Sequence, residues 1–483
     1  MTSQAAGGEK SRGIDTPHPG GMIEVRLPLK AAEQSGRLPA VLIHYGTTLK
    51  GRDGMKRMNR RDFLSAATAG SLAAGAFARR SGAAESSRKI KLGLIGCGGY
   101  GRANIKAAFR AGGVEFLALC DVDSEHLANT ADEVEKMQGS RPKTFKDYEE
   151  LLDTSGLEAV VIATPPQWHA LPFLAALDRD LHIYCEKPLA YDVREGRAMV
   201  DAANKKDVVV QIGFQRRKSP AIQQARDYVQ AGNLGRIVQV DAQIHYTAGM
   251  RDATPQEPPA SLDWELWCGP APKLPYSPQI GHVSWRLEKT TGHGHLVDWG
   301  IHLIDATRWI LGETAPKAVQ AAGGIYHFKD HITTPDILTA QFDFDTCPVF
   351  WRHRIWGAKE YTPETSNGIF LYGEDGTLFV TDRRWVIIPK DKNKERIEHK
   401  AGADMGQEHM GEFLTTVREG GRAGCTVEDG YRSTTAVKLA MISYDVGERI
   451  VWDDMAEQII GNSAASALLK RRYRAPWRHP HEG

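Results

Sequence analysis

Residues 89–123 read KIKLGLIGCGGYGRANIKAAFRAGGVEFLALCDVD, and this stretch decides the fold. An apolar run from Ile90 to Ile95 predicts a buried strand. It breaks at Gly96-Cys97-Gly98-Gly99-Tyr100-Gly101, and a helical pattern follows at once. A second apolar run, Val114 to Cys120, ends on Asp121. This is the strand–turn–helix–strand context of a dinucleotide-binding fingerprint. Gly96 suits a tight turn, Gly98 lets backbone N–H groups approach a pyrophosphate, and Gly101 lets the helix pack closely on the strand. The helix N-terminus lends partial positive charge to the phosphates. Asp121 stands where a carboxylate accepts hydrogen bonds from the adenosine ribose hydroxyls and repels a 2′-phosphate. NAD(H) is therefore favoured over NADP(H).

Outward from this core, strands and helices alternate through residue 213, as a doubly wound parallel sheet requires. Apolar runs at 114–120, 159–163 and 208–213 are separated by amphipathic segments at 124–137, 169–178 and 192–205. Beyond Gly213 the pattern changes. Polar–apolar alternation at 236–246, 337–344 and 369–380 predicts a largely antiparallel open sheet, with Gly373-Glu374-Asp375-Gly376 as a hairpin. Residues 250–290, rich in Pro and Trp, read as a long functional loop. Helices are expected near 407–419 and 428–446. The fold class is α/β: an N-terminal Rossmann domain over 89–213 and a C-terminal substrate and oligomerisation domain over 214–455. A tail of no clear period occupies 456–483.

The first residues read as an address. Asn59-Arg60-Arg61-Asp62-Phe63-Leu64 begins a twin-arginine pattern, followed by an uncharged Ala/Gly-rich run, Ser65 to Phe77. Cleavage-suited small residues follow at Ala76-Phe77-Ala78 or Gly82-Ala83-Ala84. Residues 59–84 thus resemble a Tat export signal, which directs a periplasmic or extracellular location. Residues 1–58 are expected to be an extension, disordered or untranslated, with translation expected to start at Met55 or Met58. A cytoplasmic location follows if residues 1–54 are translated and block export. The signal run is too short and glycine-rich for a membrane span, which needs ~20 apolar residues.

A net charge of +1 over 483 residues gives no field for nucleic acid or an anionic membrane. The six cysteines show no C-x-x-C pairing, so neither a disulfide framework nor a zinc site is indicated.

Three further patterns fall where a cofactor enzyme needs them. Thr164-Pro165-Pro166-Gln167-Trp168-His169 follows the expected fourth strand, at the carboxyl end of the sheet. Cys185-Glu186-Lys187-Pro188 follows the next strand, and proline holds Lys187 in an extended backbone. Its ammonium can then hydrogen-bond a substrate hydroxyl. The third is Gly292-His293-Gly294-His295-Leu296-Val297-Asp298-Trp299-Gly300-Ile301-His302. On a helix Asp298 and His302 share a face, and a carboxylate beside an imidazole raises its basicity, as a general base near pH 7 needs. A rival reading joins His293, His295, Asp298 and His302 in a metal site, but no metal is expected.

The set Gly96/Gly98/Gly101, Asp121, Thr164-Pro165, Glu186-Lys187-Pro188 and Asp298-x-x-x-His302 resembles the glucose–fructose oxidoreductase/inositol dehydrogenase (Gfo/Idh/MocA) family from residue 89 to about 455. The resemblance implies an NAD(P)-dependent oxidoreductase acting on sugars or cyclitols. It implies Lys187, Asp298 and His302 as catalytic residues. Cofactor contacts are expected from Gly96, Gly98, Gly99, Tyr100, Gly101, Asp121, Thr164, Pro165, His169, Glu186, Lys187 and Gln215. Substrate contacts are expected from Arg216, Trp264, Trp267, Arg286 and His295, with His282 a weaker candidate. A homodimer or homotetramer is implied. The Trp-rich insert within the 250–290 loop, centred on Asp263 to Pro272, resembles that of exported members.

The expected reaction is hydride transfer at a secondary alcohol of a sugar, cyclitol or glycoside, with the cofactor tightly bound because an exported enzyme meets no NAD pool. Two alternatives stand beside it. One is a redox-neutral NAD-dependent glycoside hydrolase that oxidises, eliminates, hydrates and reduces. The other is a non-catalytic sugar-binding protein.

Overall fold

The computed structural model describes residues 88–358 and 367–481. The extension and the Tat-like segment lie outside these residues.

Two sheets organise the described chain. The first is built from β1 (Ile90–Ile95), α1 (Gly99–Ala111), β2 (Val114–Cys120), α2 (Ser124–Gln138), β3 (Lys143–Phe145), α3 (Tyr148–Leu152), β4 (Ala159–Ile162), α4 (Ala170–Asp178), β5 (His182–Glu186), α5 (Val193–Ala203) and β6 (Val210–Gly213). Its six parallel strands run in the order β3-β2-β1-β4-β5-β6. Four β4 residues and most of β1 are buried on both sides, which is why they read as unbroken apolar runs rather than as alternation. Helices start on side-chain caps: Asp123 accepts from the Glu125 and His126 amides, and Asp192 from the Glu195 amide.

The rest of the chain adds α6 (Pro220–Gln230), β7 (Ile237–His245), α7 (Trp264–Cys268), α8 (Ile301–Leu311), β8 (Ala318–Gly324), β9 (Ile337–Asp343), β10 (Pro348–Arg354), β11 (Asn367–Gly373), β12 (Gly376–Val380), β13 (Arg384–Pro389) and β14 (Ile397–Lys400). It closes with α9 (Met405–Glu419), α10 (Val427–Val446), β15 (Ile450–Asp453), β16 (Gln458–Ile460) and α11 (Ser463–Ala467). The second sheet has ten strands, ordered β14-β13-β12-β11-β7-β10-β9-β8-β15-β16, and is antiparallel except where β10 pairs with β7. Glu374 and Asp375 turn the β11–β12 hairpin, as the glycine-flanked pair predicted.

One face of this sheet carries Val240, Ala242, Leu338, Ala340, Phe342, Val349 and Trp351 into the core beneath α8 and α10. The other leaves Phe350, Phe370 and Tyr372 half-buried and Val238 exposed. Helix α9 packs back on α1, adding Met410, Phe413 and Leu414 to the nucleotide-domain core. The loop after β5 reaches the start of α8 through Lys187, and that meeting makes the site.

Candidate active site

The fingerprint loop follows the expected logic. Gly96 adopts φ +97°, and an added Cβ there would lie 2.7 Å from the Ala163 backbone. At Gly101 a Cβ would come within 1.9 Å of the Gly96 carbonyl, so only glycine lets α1 pack this closely on the turn. Gly98 and Gly99 face open space where a phosphate can approach. Asp121 ties the loop to β2: its carboxylate accepts from the Cys97 amide (2.6 Å) and the Asp123 amide (2.8 Å). Across the cleft, the buried Thr164 hydroxyl has no protein partner among the described residues. A glycine-lined turn, a helix N-terminus, a carboxylate at the β2 end and an orphaned hydroxyl fit a dinucleotide.

His169 does not face this cleft with a free nitrogen. Its ring spans the Thr164 carbonyl (2.8 Å) and the Pro188 carbonyl (2.7 Å), clamping the two strand-end loops together. Burial draws its pKa down. The expected cofactor contact is thus replaced by a bracing role.

Glu186 ends β5 and is buried. Asn104 donates to its Oε1 at 3.0 Å and Gln215 donates to the same oxygen at 2.9 Å, while Oε2 has no partner. Burial raises its pKa to about 7, against the opposing pull of Asn104 and Lys187. Gln215 also donates to the Tyr184 hydroxyl (3.0 Å), which meets His409 Nδ1 at 3.0 Å. Tyr100 rises from the fingerprint loop with 44% of its surface exposed, and its phenol is pushed up by burial of the hydroxyl end and by the charges of Glu186 and Asp298.

Lys187 reaches across to the start of α8. Its Nζ donates to the Asp298 carbonyl (2.6 Å) and to Asp298 Oδ1 (3.0 Å). Arg286 Nε engages Asp298 Oδ2 at 3.0 Å. Burial alone would raise the Asp298 pKa, but the Lys187 and Arg286 cations outweigh it and hold the carboxylate below its usual range.

The expected Asp298–His302 pairing is not formed. Residues Leu296–Gly300 make a π-helical turn, which widens the helix so that positions four apart no longer align. Asp298 turns to Lys187 instead. His302 Nδ1 has no protein partner among the described residues, and its ring meets Phe214 edge-on at 6.1 Å. Its pKa lies well below that of an ordinary histidine, from burial first and then from the Lys187 and Arg216 cations. The imidazole is neutral for the opposite reason to the one its spacing suggested.

Arg216 is buried beside this group. Its Nε pairs with Asp382 at 3.1 Å and its Nη1 has no partner. His295 is buried with an unpartnered Nε2, its ring 4.8 Å from Tyr246 and 5.0 Å from His353. Burial and the neighbouring imidazoles hold it neutral. His293 turns elsewhere, accepting the Lys438 ammonium at 2.9 Å. Tyr246, His353 and Lys438 escaped the sequence reading: each is a lone polar residue inside an apolar pattern, and only the pairing of β7 with β10 and the packing of α10 bring them here.

The insert differs most from expectation. Trp264 and Trp267 stack on each other (4.4 Å) and are buried in a small core with Leu262, Cys268 and Val122. The Nε1 edge of Trp264 serves packing too, donating to the Leu274 carbonyl. They present no free face to a sugar. His282 likewise turns from the substrate side to Asp123, Nε2 to Oδ2 at 2.9 Å. The insert lies across the β2–α2 turn through backbone bonds from Asp263 to Val122 (3.0 Å) and from Ser124 to Ser261 (2.9 Å), and through a Lys146–Asp263 ion pair. The tail from Arg471 docks beside it: the Arg471 guanidinium engages Glu195 at 2.7 Å, and Arg474 pairs with Glu265.

Comparison with known proteins agrees with this geometry. A family model described as "oxidoreductase family, NAD-binding Rossmann fold" matches residues 90–214, and one described as "oxidoreductase family, C-terminal alpha/beta domain" matches residues 222–479. Levoglucosan dehydrogenase of Pseudarthrobacter phenanthrenivorans is 32% identical over 232 residues, which is 47% of this chain and 52% of that protein. Inositol 2-dehydrogenase of Salmonella typhimurium is 30% identical over 161 residues, 33% of this chain and 46% of that protein. The chain spans about half the length of these curated relatives. A solved structure of levoglucosan dehydrogenase in complex with NADH and levoglucosan shares the fold, with a TM-score of 0.60 and 20% identity over 75% of this chain and 99% of that one.

Proposed function

The chain belongs to the Gfo/Idh/MocA family of NAD-binding oxidoreductases, and we propose that it transfers hydride at a secondary alcohol carbon of a sugar, cyclitol or glycoside. One observation carries the reading: at the carboxyl end of the nucleotide sheet Lys187 is held on Asp298, four residues before the buried His302, whose Nδ1 has no protein partner among the described residues. NAD, when bound, supplies the hydride acceptor. His302 takes the proton of the substrate hydroxyl through a ring nitrogen, a task open to it because the imidazole starts uncharged. Lys187 hydrogen-bonds that oxygen and stabilises the developing alkoxide. Asp298 holds the ammonium in place through its carbonyl and carboxylate, and Arg286 fixes the other carboxylate oxygen. Arg216 Nη1, His295 and Arg286 offer donors for neighbouring hydroxyls. The printed names of the relatives, levoglucosan dehydrogenase and inositol 2-dehydrogenase, support a polyhydroxylated substrate.

The test is a panel of sugars, cyclitols and glycosides incubated with the purified chain, following NADH absorbance and free reducing sugar together. NADH without cleavage supports simple oxidation. Reducing sugar released from glycosides without net NADH makes the reaction the redox-neutral hydrolysis. No turnover on any member overturns the enzyme reading.

The insert across the β2–α2 turn favours a cofactor that is retained between turnovers, and nucleotide released on denaturing freshly isolated protein checks this. Self-association through the open sheet is supported by Phe350, Phe370 and Tyr372 on its outer face, and a monomer mass by light scattering would contradict it. Export through the twin-arginine segment predicts that Arg60→Lys with Arg61→Lys leaves the precursor in the cytoplasm.

A further inference from the structure

A second cluster of potential metal ligands sits where the insert meets the nucleotide domain. Asp123 caps α2, and its Oδ1 accepts from the Glu125 amide (2.9 Å) and the His126 amide (3.2 Å). Its other oxygen, Oδ2, points away from the helix and meets His282 Nε2 at 2.9 Å. His126 stands on the first turn of α2 with its ring 4.2 Å from that of His282, inclined at 43°. One ligand atom from each of the three residues lies within 4.8 Å of the others.

We propose that Asp123, His126 and His282 form a binding site for a divalent cation of the zinc class, which pins the insert to the turn that follows β2. Two imidazole nitrogens and one carboxylate oxygen suit zinc, cobalt or nickel, whereas magnesium and calcium prefer all-oxygen sets. Bonds of ~2.0–2.1 Å place tetrahedral ligands roughly 3.3 Å apart, so from separations within 4.8 Å the trio closes by at most about 1.5 Å of side-chain movement. Asp123 is preset by its two amide bonds, which orient the free oxygen. Both histidines are partly exposed, which leaves a fourth position for water and a route of entry. The site is remote in role from Lys187 and His302: it joins two segments and touches no residue of the hydride-transfer cluster described above.

The other cluster of ligating residues, Asp192, Glu195 and His479, differs in one respect. Arg471 already fills it, with its Nε on Glu195 at 2.7 Å and its amide on Asp192 at 3.0 Å. A guanidinium there takes the place a cation would occupy. Among the described residues, no guanidinium or ammonium takes the corresponding place between Asp123, His126 and His282.

The experiment uses the full chain stripped with a chelator and titrated with zinc by calorimetry, beside His126→Ala and His282→Ala variants. One zinc per chain is expected, with each variant binding at least ten-fold more weakly and the melting temperature rising with zinc only in the parent. Cobalt added to the stripped parent should give the intense visible absorption of a four-coordinate ion, a signature that does not depend on how the variants fold. No saturable binding, or binding undiminished in both variants, overturns the proposal and leaves Asp123–His282 as a plain hydrogen bond. Neither result bears on the hydride-transfer reading, which rests on other residues.

Discussion

Lys187 Nζ grips Asp298 twice, at the backbone carbonyl (2.6 Å) and at the carboxylate (3.0 Å). An ammonium held at two points keeps its aim, and Lys187 and Arg286 offset the cost of burial that would otherwise raise the Asp298 pKa. The role of Asp298 is therefore to position the lysine rather than to tune the histidine.

Asp298→Asn tests this. The neutral amide leaves Lys187 with less compensation, so turnover should fall on the order of 10²-fold, as for loss of one preorganised electrostatic contact. If Asp298 served His302 instead, the variant would shift the pH profile of the base and leave the lysine-dependent term intact. Steady-state kinetics across pH separates the two.

The pH dependence of alcohol oxidation should be flat through the ordinary histidine range near ~6.5. His302 has a depressed pKa, so the ring is already deprotonated above that range and loses its proton-accepting lone pair only well below it. Glu186 titrates at about 7 and would mask this, so the measurement belongs in a Glu186→Gln background. An acid limb at 6.5 or above in that background contradicts the neutral, buried imidazole.

Glu186 makes a separate prediction about stability. Its folded pKa is raised, so the protonated form favours folding; the contribution is full below the unfolded value and is lost as pH rises through about 7. Glu186→Gln should therefore raise the melting temperature at pH 8 more than at pH 5. An equal change at both values contradicts a raised pKa.

Asp121→Ser should weaken NAD binding on the order of ten-fold and narrow the preference over NADP. The carboxylate both braces the fingerprint loop through Cys97 and repels a 2′-phosphate. Calorimetry showing tighter NADP than NAD binding in the parent would contradict the assignment.

Much of this architecture was legible in the chain. The fingerprint strands fell where the apolar runs ended, because a parallel sheet buried on both faces leaves no other pattern, and Gly96 and Gly101 proved necessary for the reasons their spacing suggested. The hairpin at Glu374-Asp375 and helices α9 and α10 were likewise visible from local signals. What failed was everything that depended on a departure from regular geometry or on distant packing. The i, i+4 argument for Asp298 and His302 assumed an α-helical turn, and a π-helical one broke it. Trp264 and Trp267 read as substrate contacts because a sequence cannot show that two tryptophans stack on each other in a small core with Val122. The partnership of His295 with Tyr246 and His353 depends on the β7–β10 pairing, to which no local signal points.

The most direct test of hydride transfer by this cluster compares Lys187→Ala and His302→Ala with the parent on an active substrate, with NAD affinity measured on the same preparations. Each variant should lose on the order of 10²–10⁴ in turnover, the range of general acid–base contributions, while NAD affinity holds within a few-fold. Parent-like turnover in both variants would contradict the assignment of the chemistry to Lys187 and His302.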